Sequence, residues 1–402
     1  MAITIEMFLT YLTGNNTYIF RYHKLSLWYL FFYMNIIIYI IFLGDLMFIS
    51  MPESFNVQVK YDENLVFNRK ETIIGISLPL GGGEERWPSD SNFLKDYARR
   101  RNSLLKFSEL TITTSDQLAE VEKLITQGID VLIIAPVNSE EASIIVDKVK
   151  AYNIPVVAYD RFIFNSDIDF FVSFNALNIG ELQGRYLTQR APTGNYIVLA
   201  GDLTDSNSIL YKDGAMIYIK PLEAIGRIKV VTDEFIKDWN PDVAYDVVKK
   251  SLVANNNNIV AILSPNDAFA GASIKALKEQ NLAGKVLVTG LDAEPSAIKR
   301  ILDGTQSMTI FTDFRKEAEA AIDIAINLAN NLPLNIYIEI NNGKKEVPSL
   351  LLAPVTVDRN NIQEVLLNSG YITLHDIYSL QNWGDINVYK LTRKFLYEGS
   401  IW

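Results

Sequence analysis

Between Ile73 and Phe311 the chain alternates short, nearly continuous apolar runs with longer stretches in which apolar residues return at helical spacing. The runs are Ile73–Leu78, Val131–Ala135, Val156–Tyr159, Phe170–Ser173, Tyr196–Ala200, Lys229–Thr232, Val260–Ser264, Val286–Gly290 and Met308–Phe311. Brevity, β-branched residues and unbroken hydrophobicity predict parallel strands buried on both faces. Ser115–Gln127 exemplifies the helices between them. Leu118, Val121, Leu124 and Ile125 recur at helical spacing, Ser115 can cap, and Gly128 can take the left-handed closing conformation. Such alternation predicts βαβ units in a doubly wound α/β fold. The number of strands exceeds what one open sheet holds comfortably at this length, so two lobes with a cleft between them are expected.

An earlier apolar run is of another kind. Leu25–Leu43 reads LSLWYLFFYMNIIIYIIFL, about the length that crosses a hydrocarbon core as a helix. The following Gly44–Ser50 has no small-x-small cleavage pattern, which predicts an uncleaved anchor. Arg21 and Lys24 precede the run and no Lys or Arg follows until Lys60. The positive-inside rule therefore predicts a single-pass protein of the cell membrane, with residues 1–24 cytoplasmic, 25–43 spanning, 44–70 a linker and the bulk outside.

Composition narrows the chemistry. The 402 residues include 37 basic and 47 acidic side chains, no Cys, and two His, His23 and His375. Disulfides, thiol nucleophiles, Cys metal sites and lipid-modified cysteines are excluded, and a His-based triad or metal site is disfavoured. A formal charge of −10 without basic runs argues against nucleic acid. No metal or cofactor is expected. Arg99–Arg101 reads as a solvated helix face, Asn255–Asn258 as a helix terminator and Gly81–Gly83 as a turn.

Ligands of such folds lie beyond the carboxyl ends of the strands. Those segments here are GGGEERW (Gly81–Trp87), PVN (Pro136–Asn138), YDR (Tyr159–Arg161), GDLTDSN (Gly201–Asn207), SPND (Ser264–Asp267), GLDAE (Gly290–Glu294) and FTD (Phe311–Asp313). Nearly all carry Asp, Asn, Arg or Thr. Planar side chains with two hydrogen-bonding atoms suit vicinal hydroxyls, and an aromatic ring such as Trp87 can cover the C–H face of a sugar.

Several segments resemble the D-xylose-binding proteins of bacterial sugar uptake: ERW at Glu85–Trp87, AYDR at Ala158–Arg161, SDIDFFVSF at Ser166–Phe174, GELQ at Gly180–Gln183, VANNNN at Val253–Asn258, SPNDAFAGA at Ser264–Ala272 and GLDAEPSAIKRILDGTQSMT at Gly290–Thr309. The resemblance runs from about Glu71 to Tyr371. It implies a type I periplasmic binding protein: two Rossmann-like lobes with parallel sheets, joined by three crossovers and closing on one sugar. One lobe would comprise 71–174 and 312–333, the other 175–311 and 334–370, leaving 371–402 as a tail of unassigned role. Carried over residue by residue, the resemblance implies that Arg86 and Trp87 bind and cover the pentose. Asp160 and Arg161 would be its acidic and basic ligands. Asn207 would open the second lobe's contribution, Trp239 would face the first aromatic across the ring, and Asn266 and Asp292 would take further hydroxyls. Members of the family usually carry Lys where this chain has Ser89 and Thr312, which puts the choice of pentose in question.

The resulting expectation is a non-enzymatic, membrane-tethered extracytoplasmic receptor for D-xylose or a related pentose. It would close on the sugar and signal to a membrane partner such as a sensor histidine kinase, with ligand-dependent homo- or hetero-oligomers as one form of output. The alternative is the substrate-binding component of an ABC-type xylose transporter. A two-carboxylate glycosidase and a DNA-binding repressor with the same lobes are the weaker classes.

Overall fold

The computed structural model describes residues 71–80, 86–335 and 338–378, together with the backbone of Leu9–Thr13 and Asn16–Phe20. The expected span Leu25–Leu43, the linker to Lys70, the turn at residues 81–85 and the tail beyond Tyr378 lie outside the described residues. Among the described residues no helix is long and apolar enough to cross a membrane. The chain divides into two units, Met1–Lys70 and Glu71–Trp402. In the first, Leu9–Thr13 and Asn16–Phe20 pair as an antiparallel hairpin, an element the sequence reading did not anticipate.

The second unit holds two main sheets. One has seven strands, in the order Ile338–Asn341, Glu346–Leu352, Phe170–Phe174, Val156–Tyr159, Val131–Ile134, Ile73–Ser77 and Leu104–Phe107. All its neighbours run parallel except the outermost pair, Ile338–Asn341 with Glu346–Leu352. The other sheet is parallel and has four strands: Leu287–Val288, Ala261–Leu263, Gly194–Ala200 and Ile228–Phe235. Thr309–Phe311 and Val355–Val357 form a separate antiparallel pair.

Each of the runs between Ile73 and Phe311 contains a strand, and the central ones are wholly buried, as double-faced parallel strands must be. The strands not foreseen are those with one face or an edge in water. Leu104–Phe107 is an edge strand carrying a lysine, and Ile338–Asn341 alternates polar with apolar residues. These two-strand additions also revise the expected lobe boundaries. Residues 338–352, assigned above to the second lobe, complete the sheet of the first, because Glu346–Leu352 docks along Phe170–Phe174. The chain therefore passes between sheets at residues 174–176, 311–314 and 352–355.

Residues 371–378 of the expected tail are packed structure. Tyr371, Ile372 and Ile377 join a cluster with Phe311, Val357 and Ile301. Local details also moved by a residue or two. Thr113, not Ser115, caps the helix Thr114–Thr126, its hydroxyl accepting from the Asp116 N–H at 3.1 Å, while Gly128 takes φ +76°. Asn255 ends the helix Pro241–Ala254, with Asn256 and Asn257 left-handed after it. Arg99, Arg100 and Arg101 lie on a solvated face, each paired with an acid.

Candidate functional site

The polar residues at the strand ends converge on one cavity of about 520 Å³, and all eight residues singled out from the sequence line it.

Arg86 and Trp87 open the helix Arg86–Arg100, next to the end of the strand Ile73–Ser77. The Arg86 guanidinium is ringed by acids: Asp90 one helical turn on, Asp160 at 2.9 Å and Glu317 at 3.5 Å. It also lies 3.5 Å from the centre of the Phe314 ring. Asp90 and Glu317 are fully buried. Burial pushes the Asp90 carboxyl up to about 7 against the pull of Arg86. The same desolvation, reinforced by Asp160, holds Glu317 well above the ordinary carboxylate range. Burial works against the Arg86 charge too, but the three acids more than offset it and its pKa rises. Trp87 is buried, with the Arg86 and Arg161 guanidinium groups 4.8 and 5.5 Å from its ring centre.

Asp160 and Arg161 follow the strand Val156–Tyr159. Asp160 is left-handed at φ 63°, a conformation Asp tolerates better than most residues. Its N–H donates to the Val172 carbonyl at 2.8 Å, and its own carbonyl accepts from the Ser173 hydroxyl at 2.7 Å. Arg161 pairs through Nε with Asp205 at 2.8 Å and donates to the Pro136 carbonyl at 3.2 Å. Asp205 is buried, which raises its pKa despite Arg161.

Asn207 stands at the start of the helix Ser206–Ala224, which Asp205 caps by accepting from the Asn207 N–H at 2.9 Å. The Asn207 amide donates across the cleft to the Asp160 carbonyl at 3.0 Å and reaches its carboxylate at 3.4 Å. With the Arg161–Asp205 pair, these bonds tie the two lobes together at the floor of the cavity. Ser139 and Ser206 extend the tie: the Ser139 N–H donates to Thr204 at 2.9 Å, and the Ser206 hydroxyl accepts from the Phe162 N–H at 3.0 Å.

Trp239 lies in a short turn with Asp238, both at positive φ. Its ring packs on Phe269 and against Gly201 so closely that a Cβ at position 201 would lie 2.1 Å from it. Asn266 caps the helix Asp267–Glu279, its side-chain oxygen accepting from the Phe269 N–H at 2.9 Å, which leaves the amide nitrogen for the cavity. Asp292 has φ 100° and its N–H donates to the Ile310 carbonyl at 3.0 Å. Among the described residues no side chain is paired with its carboxylate. Burial, then the neighbouring Glu294, raise its pKa well above the usual range, with Arg86 opposing.

The sequence reading reached Asp205 only as part of the segment Gly201–Asn207, and it missed Tyr211, Phe174 and Phe314 as lining residues and the buried acids Asp90 and Glu317 behind them. Asp90 was detectable as the residue one turn beyond Arg86. Glu317 had no signal, since an acid in the first turn of the helix Phe314–Ala329 reads as a solvated, dipole-compatible position. Thr312 also lines the cavity, and its buried hydroxyl has no hydrogen-bond partner among the described residues. The site thus offers amide and guanidinium donors, carboxylate acceptors and two indoles, a set suited to hydroxyl recognition.

Residues 74–333 match a family model described as a periplasmic binding protein domain. The chain is 39% identical over 294 residues to the D-xylose-binding periplasmic protein of Haemophilus influenzae, covering 73% of this chain and 89% of the relative. It is 37% identical over 308 residues to the protein of the same description from Escherichia coli, covering 77% and 93%. A solved carbohydrate transporter solute binding protein of Chloroflexus aurantiacus, in complex with D-glucose, superposes with a TM-score of 0.71 at 30% identity, covering 76% of this chain and 98% of that one. With two mainly parallel sheets linked by three passages around a polar and aromatic cavity, this chain belongs to the type I periplasmic binding proteins, a family that binds its ligands without turning them over.

Proposed function

We propose that this protein is an extracytoplasmic receptor for D-xylose or a closely related pentose. The observation that carries the reading is the convergence of Arg86, Trp87, Asp160, Arg161, Asn207, Trp239, Asn266 and Asp292 on one cavity. Its support is the likeness to two D-xylose-binding proteins over most of their length. Guanidinium groups already neutralised by carboxylates suit an uncharged ligand, because the sugar need supply only hydroxyls to acceptors such as Asp292 and Asp160. The indoles of Trp87 and Trp239 supply apolar surface for its ring. Binding favours the closed arrangement of the lobes by the contacts made only there.

The closed receptor would deliver its sugar to an ABC-type permease, a reading supported by the likeness to a protein of Chloroflexus aurantiacus described as a carbohydrate transporter solute binding protein. A second reading, signalling to a sensor histidine kinase, is favoured by the apolar run Leu25–Leu43 in a chain without cysteine. A retained anchor suits a partner that reads shape in place. Calorimetry of the full-length chain against xylose, ribose, arabinose, glucose and galactose tests the ligand. Xylose is expected to bind at micromolar concentration, and silence from all five up to low millimolar would sink the receptor reading. Sequencing the N-terminus of the native protein separates the outputs: a mature start in the linker would remove the signalling reading.

A further inference from the structure

A second cavity, of about 630 Å³, adjoins the first and shares Arg86, Asp292 and Phe314 with it. Its other walls come from Ser89 and Phe93 on the first helix, from Glu294 beside Asp292, and from the segment Tyr371–Asp376. Phe93 and Tyr371 set their rings 6.2 Å apart at 35°, giving two apolar faces. Tyr371 is held from behind by Phe311, ring to ring at 4.6 Å, and lies 5.0 Å from the Arg315 guanidinium. Polar groups stand at the margins: the Ser89 hydroxyl and the carboxylates of Glu294 and Asp376, the latter fixed by the Thr373 N–H and hydroxyl at 2.8 and 2.7 Å.

We propose that this second cavity is a subsite for a second sugar ring, so that the protein accepts a neutral pentose disaccharide with one ring in the first cavity and the next between Ser89, Phe93 and Tyr371. The inference rests on the sugar-receptor reading above and extends it. Aromatic faces combined with hydroxyl and carboxylate acceptors are the same chemistry that lines the first cavity, and three shared residues set the two spaces side by side. Carboxylates at the rim disfavour an anionic ligand such as a sugar phosphate, since the adjacent Arg86 is already matched by Asp90, Asp160 and Glu317. Small residues keep the space open: Ser89 lines the second cavity and Thr312 the first, the two positions at which the resemblance implies a lysine. A long side chain at residue 89 would lie within the second ring's volume.

Titration of the full-length chain with xylose and with xylobiose, in the natural sequence and in Ser89→Trp, tests this. The natural sequence is expected to bind xylobiose within about tenfold of xylose, and Ser89→Trp to weaken xylobiose by about tenfold or more while shifting xylose by less than about twofold. Retained xylose binding shows that the variant folds. Tyr371→Ala should repeat the selective loss. Xylose binding without xylobiose binding overturns the subsite and leaves the receptor reading intact. Failure of both sugars removes the receptor reading and the subsite with it. Equal losses of both sugars in Ser89→Trp, or no loss of either, would also overturn the proposal.

Discussion

The two halves of the cavity are built on opposite principles. On the side of the seven-stranded sheet, Arg86 and Asp160 are locked into a buried network with Asp90 and Glu317. On the side of the four-stranded sheet, Asn266 spends half its amide on a helix cap, and the Asp292 carboxylate has no paired side chain among the described residues. The first half is organised whatever the cavity holds. The second keeps open hydrogen-bonding capacity that a ligand can fill. The lesson is that charge in such a site has two uses, holding geometry and holding ligand, and substitution should separate them.

The largest effect is expected at Arg86. Arg86→Ala strands buried acids, so chemical denaturation should show a loss of about 3–5 kcal/mol of stability alongside lost xylose binding. A variant of unchanged stability would break the distinction between the halves. Asp292→Asn, which keeps a side chain tolerant of positive φ, should weaken xylose by about 1.5–3 kcal/mol in calorimetry with stability unchanged or raised. Comparable unfolding losses at both positions would mean that the second half is also structural. Trp87→Ala should weaken binding by about 1–3 kcal/mol, and an unchanged affinity would place the indole away from the sugar.

Smaller in size is a dependence on pH. The Asp90 carboxyl titrates at about 7 in the fold, against about 3.9 in an unfolded chain. The folded protein therefore holds a proton that the unfolded chain releases above about pH 4. Stability from this group is greatest at the acid side of that window and falls as pH rises through about 7. Asp267, fully buried beneath the second half and also raised to about 7 by desolvation, acts in the same direction. Denaturation midpoints should be higher at pH 6 than at pH 8, and Asp90→Asn should shrink the difference without abolishing it. If Asp90→Asn left the difference whole, the network around Arg86 would not be its source.

Much of this division was legible in the chain. Parallel strands buried on both faces announce themselves as apolar runs; the segments after those runs contained seven of the eight cavity residues, while Trp239 and the ligand roles came from the family resemblance. Strands that lie at an edge or alternate, such as Leu104–Phe107 and Ile338–Asn341, carry a period too short and too mixed to separate from loop. The network escaped for a related reason. Glu317 sits on a helix whose acids and apolar residues alternate as on any half-solvated face, and only the fold brings it beneath Arg86 from 231 residues away. Tyr371 and Asp376 reach the second cavity from a segment whose pattern predicted nothing.

Gly201, which contributes no side chain to the cavity, has a consequence for how sugar preference can change over evolutionary time. Any other residue there would push a β-carbon into the Trp239 ring and tilt the indole. Selectivity could then drift through a position that never touches the ligand, and a comparison of relatives restricted to contacting residues would record two identical sites with different tastes.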